Sequence, residues 1–145
     1  MLVNLTLENK RVLVVGGGNV ALRKIKKLQK YNCKVTLVSP NCIEEIRGLN
    51  VEIIESKFCY NYLVDIDIVF LCTNNSNLHE EIIEFSKNKK IIINNSTSQT
   101  NMDFSMVSSF IFDEYEIAVT SKKGIKENKL LRDSLQSILE NKKFR

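Results

Sequence analysis

Three consecutive glycines, Gly16, Gly17 and Gly18, stand directly after the apolar run Val12 to Val15 and directly before a stretch with helical periodicity. The chain therefore has to leave a buried strand and enter a helix within that triplet. Read as Gly16-x-Gly18-x-x-Ala21, the segment has the spacing of a dinucleotide-binding turn. Its glycines permit a sharp turn and a close approach of main-chain N–H groups to a diphosphate, and its small third residue seats the helix tightly. The helix then directs free N–H groups and the positive end of its dipole at the phosphates. Gly16, Gly18, Asn19, Val20 and Ala21 are thus the expected contacts of a nucleotide coenzyme. The alternative is a tight structural strand-to-helix turn.

The rest of the chain reads as alternating strands and helices. Leu2 to Leu7 alternates apolar and polar residues and predicts a strand, followed by a turn and a strand over Arg11 to Val15. Val20 to Tyr31 is an amphipathic helix with Ala21, Ile25 and Leu28 on its apolar stripe. Strands are predicted over Lys34 to Val38, Val51 to Glu55, Ile66 to Cys72 and Ile91 to Ile93, with a short helix over Ile43 to Leu49. A longer helix opens at an Asn77 and Glu80 capping box and reaches Lys87. After Asn94 come two strands, Ser105 to Phe112 and Glu116 to Thr120, expected to extend the sheet antiparallel at one edge, and a helix over Asn128 to Leu139. The fold class that follows is α/β, a Rossmann-like doubly wound parallel sheet with antiparallel edge strands and a C-terminal helix. A single domain over residues 1–145 is the simplest organisation.

Composition narrows the partners. Hydrophobic content of 43% and charged content of 26% are globular, and a net charge of +4 is a mild cationic excess. It suits an anionic small molecule better than nucleic acid. Cys33, Cys42, Cys59 and Cys72 show neither Cys-x-x-Cys spacing nor a histidine cluster, so no metal site is expected and each reads as a reduced thiol. No apolar run approaches the ~20 residues of a spanning helix. A cytoplasmic protein without membrane association is expected.

The second strand ends Val38-Ser39-Pro40-Asn41, without the acidic residue that usually meets the adenosine ribose. Ser39 or Asn41, flanking Pro40, would take that place, which leaves NAD and NADP both open. Arg23 and Lys24 either supply a cation near the phosphates or line a solvated helix face. Thr73 and Asn74 follow the fourth strand, where residues face the ligand crevice, or else they simply make the turn before the helix. Asn94 sits in the equivalent place after the fifth strand. His79, the one histidine, is expected to be exposed in the first turn of its helix.

Taken together, Gly16-Gly-Gly-Asn-Val-Ala-Leu-Arg-Lys24, Val35-Thr-Leu-Val-Ser-Pro40, Thr73-Asn-Asn75, Ser105-Met-Val-Ser108 and Ala118-Val-Thr-Ser121 resemble precorrin-2 dehydrogenase. That family includes the dehydrogenase and ferrochelatase part of siroheme synthase. The resemblance implies NAD-dependent oxidation of precorrin-2 to sirohydrochlorin, sometimes followed by ferrous iron insertion, in an intertwined homodimer. The family's catalytic aspartate after the fifth strand falls on Thr97, and Asp103 is the nearest carboxylate in the same loop. The family's serine is retained as Ser121. Thr97, Asp103 and Ser121 are therefore the catalytic candidates, with oxidation expected over metal insertion because threonine is a poor base. Lys122 and Lys123 either attract the polycarboxylate substrate or are simply solvated. The rival expectation is a non-catalytic NAD(P)-binding module, or a partner of a tetrapyrrole-pathway enzyme. In the last helix, the stripe Leu131, Leu135 and Ile138 is expected to pack on its own sheet, with a partner as the alternative.

Overall fold

The structure, a computed structural model, describes residues 3–98, 101–122 and 124–142. The chain divides into two compact units, Met1–Ser105 and Met106–Arg145, where composition alone suggests one.

The first unit is built on five parallel strands: β1 (Arg11–Val15), β2 (Lys34–Val38), β3 (Glu52–Ile54), β4 (Ile68–Leu71) and β5 (Ile92–Asn95). Their order is β3-β2-β1-β4-β5. The sequence winds outward from β1 in one direction and then, after β3, returns to the other side of β1. This reversal opens a crevice beyond the carboxyl ends of β1 and β4, the place where doubly wound sheets bind ligands. The register Val15 to Val38 on one side and Val15 to Leu71 on the other brings the three exits level.

Strand alternation divides the core. Leu13, Val15, Val69, Leu71 and Ile93 lie on one face and pack with Leu63 and with Ile82 of helix α3 (Ser76–Ser86). Val12, Val14, Ile68 and Phe70 alternate to the other face. There helix α1 (Asn19–Leu28) buries Ala21, Ile25 and Leu28 and leaves Arg23 and Lys26 exposed. A short helix α2 (Glu44–Arg47) and a 3₁₀ turn (Tyr60–Leu63), the latter without a readable periodic signal, complete the connections.

Two expectations about this unit need correction. Residues 3–10 form no strand: Leu7 alone is buried while Val3 and Leu5 are exposed, so the alternation has no sheet face to serve. The cap of α3 is Asn75, not Asn77. Asn75 has extended backbone and its Oδ1 accepts from Leu78 N at 3.1 Å, and Asn77 lies inside the helix.

In the second unit β6 (Ser108–Phe112) and β7 (Tyr115–Val119) form a two-stranded antiparallel sheet of their own, not an edge of the parallel one. Helix α4 (Ile125–Asn141) packs on both strands yet has no buried residue. Its expected core stripe is only partly engaged: Leu131 and Ile138 are exposed and Leu135 is half-buried. Phe110 and Val119 are the buried hydrophobic residues described in this unit.

Candidate coenzyme site

The three glycines have three different reasons. Gly16 has φ +109°, and a Cβ there would meet Thr73 N at 2.7 Å and the Cys72 carbonyl carbon at 2.8 Å. Its glycine is required by close approach of β1's exit to β4's exit, which Cys72 N fixes by donating to Val15 O at 2.8 Å. A Cβ on Gly17 would run into the Asn41 carbonyl oxygen and lie 2.7 Å from Cys42 Cα. The Gly17 carbonyl accepts from Ile43 N at 2.9 Å, holding the turn against the exit of β2. Gly18 is unlike both. Its φ of −94° and ψ of −168° suit any residue, and among the described residues nothing lies within 4 Å of where its Cβ would be. The protein's own packing gives no reason for glycine there.

Gly18 is also the N-cap of α1, with no side-chain cap and no acidic residue in the first turn. The helix N-terminus therefore presents uncompensated N–H groups beside open space, a cradle that a diphosphate fits. Asn19 and Val20 begin the helix, and buried Ala21 seats it on the sheet. At the β2 exit Ser39 is buried, its N donating to Ile54 O at 3.2 Å, while Pro40 and Asn41 are exposed. Arg23 is exposed. Lys24 is half-buried, its Nζ 5.8 Å over the Phe70 ring centroid, and burial pushes its pKa down.

The exits of β4 and β5 form the other wall. Thr73 Oγ1 accepts from Asn75 N at 3.2 Å, which shapes the turn, and Asn74 is exposed. Asn94 is buried and occupied: its Nδ2 donates to Phe104 O at 2.9 Å and its Oδ1 accepts from Ser96 Oγ at 3.1 Å. Asp103 is occupied too. Its Oδ2 accepts from Ile93 N at 2.7 Å and its own N donates to Ile93 O at 2.9 Å. Ser121 belongs to the second unit, where Oγ donates to Asn128 Oδ1 at 2.6 Å. Lys122 is exposed; Lys123 lies outside the described residues. Among the described residues no cluster of three or more metal-ligating side chains occurs, and no helix is long and apolar enough to cross a membrane.

His79, expected on the surface, is 3% exposed. It shares a buried stripe with Ile82 and Ser86, three and seven residues on, a spacing that the sequence did display. Its Nδ1 lies 3.0 Å from Thr97 Oγ1, and its enclosed Nε2 has no hydrogen-bond partner among the described residues. Burial lowers the imidazole pKa below 6.5, against smaller raising effects of the Thr73 main chain and the Asn95 side chain. The unfolded chain therefore takes up a proton that the folded one resists. Stability should be full above pH 6.5 and fall as the pH drops below it. Urea midpoints at successive pH values should show this slope, and His79→Gln should flatten it.

The glycine turn, the open cradle at Gly18 and the crevice at the strand-order reversal together define a dinucleotide-binding α/β protein. A family model described as NAD(P)-binding matches residues 3–108. The chain is 31% identical over 119 residues to siroheme synthase of Pseudoalteromonas translucida, covering 79% of this chain and 25% of that protein. Against siroheme synthase of Tolumonas auensis it is 31% identical over 138 residues, 92% of this chain and 29% of the relative. Its fold matches SirC, precorrin-2 dehydrogenase, with a TM-score of 0.83 and 22% identity over 95% of this chain and 70% of that one. The chain belongs to this NAD(P)-binding family, the one shared with the N-terminal part of siroheme synthase. It spans between a quarter and a third of the length of those siroheme synthases.

Proposed function

We propose that the protein oxidises precorrin-2 to sirohydrochlorin with NAD as hydride acceptor. The observation that carries the reading is the Gly18 cradle at the N-terminus of α1, in a family whose relatives include siroheme synthases. Gly16, Gly18, Asn19, Val20 and Ala21 hold the diphosphate, Ser39 and Pro40 flank the adenosine, and Thr73 and Asn74 line the crevice from β4. A bound nicotinamide supplies the two-electron acceptor. The chain's residues have to orient the tetrapyrrole, exclude water and take up the proton released. Thr97, exposed at the exit of β5, has the position for that last task. Asp103 and Asn94 serve instead to fix the loop that follows β5. Ferrous iron insertion is slow in this reading, because the carboxylate nearest in the chain is engaged with Ile93.

Two copies associate through the second unit, whose exposed Ile111, Tyr115, Ile125, Leu130, Leu131 and Ile138 exceed what so small a core can cover. Free thiols agree with a reducing compartment, the cytoplasm. A second reading, coenzyme binding without turnover, draws on the same engaged Asp103. One experiment separates them: titration calorimetry with NAD and with NADP, followed by absorbance spectra after adding precorrin-2. Binding and a spectral change to sirohydrochlorin support the enzyme. Binding with unchanged spectra supports the module, and no heat from either coenzyme refutes both.

A further inference from the structure

Behind Thr97 stands a short polar chain that no role in binding explains. Asn95 Oδ1 accepts from Thr97 N and Ser98 N, both at 3.2 Å, and this fixes that atom as an acceptor. Thr97 Oγ1 lies 3.1 Å from the same Oδ1 and 3.0 Å from His79 Nδ1. The hydroxyl donates to Asn95 Oδ1 and stands within hydrogen-bond reach of the imidazole, whose Nδ1 accepts in the Nε2–H tautomer. A threonine hydroxyl alone is no base near neutral pH, but one that can hand its proton to an adjacent imidazole is.

We propose that His79 is a positioning residue for the oxidation, acting through Thr97: it accepts the hydroxyl proton and so gives the exit of β5 the proton-accepting capacity that threonine lacks. This rests on the dehydrogenase reading above. Oxidation removes a hydride and a proton from the tetrapyrrole. A bound nicotinamide coenzyme would supply the acceptor for the hydride and its two electrons. The proton goes to Thr97 Oγ1 as the hydroxyl's own proton moves to His79 Nδ1, and the ring becomes imidazolium until it returns the proton to water by the same route. In the Nε2–H tautomer the hydroxyl turns from Asn95 Oδ1 to donate to Nδ1 before transfer; afterwards Nδ1–H donates to Oγ1, and the newly acquired hydroxyl proton points to Asn95 Oδ1.

The surroundings suit an imidazole that starts neutral. The groups acting on the ring are the Thr73 main chain, the Asn95 amide and the Thr97 hydroxyl. No charged side chain contributes to its shift, and Glu80 and Glu81 of its own helix are exposed. Burial favours the neutral ring and disfavours the imidazolium, which makes the protonated state short-lived.

The chain has one histidine, so ¹⁵N-labelled imidazole gives a single set of resonances to follow by NMR. Thr97→Val should alter the Nδ1 shift and the ring's titration. In steady-state assays with precorrin-2 and NAD, His79→Asn and Thr97→Val should each lower kcat about 100-fold. KM and coenzyme affinity should stay within about twofold, and the double variant should be no slower than either single one, as for residues acting as a unit. The acid limb of the kcat profile should follow the NMR titration of His79 and vanish in both variants. Asn can hydrogen-bond at position 79 but cannot take a proton, so full activity of His79→Asn would overturn the inference. Losses that multiply in the double variant, or an Nδ1 signal blind to Thr97→Val, would do the same while the function stands. Should His79→Asn unfold, Thr97→Val at its exposed position still decides. Wild-type protein that binds NAD and leaves precorrin-2 unchanged would refute the function itself, and the inference with it.

Discussion

Gly18→Asp should fold as well as the wild type and lose its coenzyme. The backbone at this position is extended, and the new Cβ meets nothing within 4 Å, so no strain opposes the side chain. Aspartate is moreover a favoured N-cap, and its charge suits the positive end of α1; a gain of a few tenths to about 1 kcal/mol is expected in urea or thermal unfolding. The same carboxylate would stand where the diphosphate has to sit. Two like charges about 4 Å apart repel by about 1 kcal/mol in water and about 4 kcal/mol at a protein surface. With the added bulk, calorimetry should show NAD affinity reduced by more than about 100-fold. Gly18→Ala isolates the steric part: no gain in stability, since alanine is a poor N-cap, and a smaller loss of affinity. Unimpaired binding by Gly18→Asp would remove the turn from the site.

Phe70→Ala should be the most damaging substitution in the core. Phe70 lies on β4 between β1 and β5 and is 1% exposed. Its ring meets Phe104 edge-on, with centroids 5.6 Å apart at 86°, and lies under the Lys24 ammonium. Removing it costs about 3–5 kcal/mol. That is a large share of the roughly 5–15 kcal/mol that holds an ordinary domain together. Denaturant midpoints should fall accordingly. Phe104→Ala, at a half-buried ring, should cost less, and a double-mutant cycle should return about 0.5–1.5 kcal/mol of coupling for the pair. A loss under 1 kcal/mol for Phe70→Ala would mean that the sheet is not packed as described.

The parallel sheet was legible because its strands are buried on both faces: runs such as Val12–Val15 and Ile68–Leu71 admit few other readings. The hairpin β6–β7 was legible as strands but not as a separate sheet, since alternation reports which face is apolar and not which strand lies alongside. Asn75 and Asn77 offer the same capping chemistry, and the chain alone does not say which has the extended backbone. At the site, the glycine spacing gave away the turn but not that Gly16 and Gly17 answer to neighbouring main chain while Gly18 answers to nothing in the protein. Asn94 reads as a coenzyme contact because it follows the fifth strand, and Asp103 as a catalytic candidate because it is the nearest carboxylate to Thr97 in that loop. Their partners, Phe104 and Ile93, are set by how the loop folds back. His79 was misplaced because histidine is usually exposed, although its spacing to Ile82 and Ser86 pointed inward.

The loop that folds back on β5 has a consequence for assembly. Ile92 N and Ser96 N point to β4, so Ile93 turns its N–H and C=O to the free margin of the sheet, and Asp103 grips both. A margin clasped in this way cannot recruit a strand from another molecule, which is how unprotected borders nucleate fibrils. Strand addition from a second molecule is thereby closed at the β5 side of the sheet.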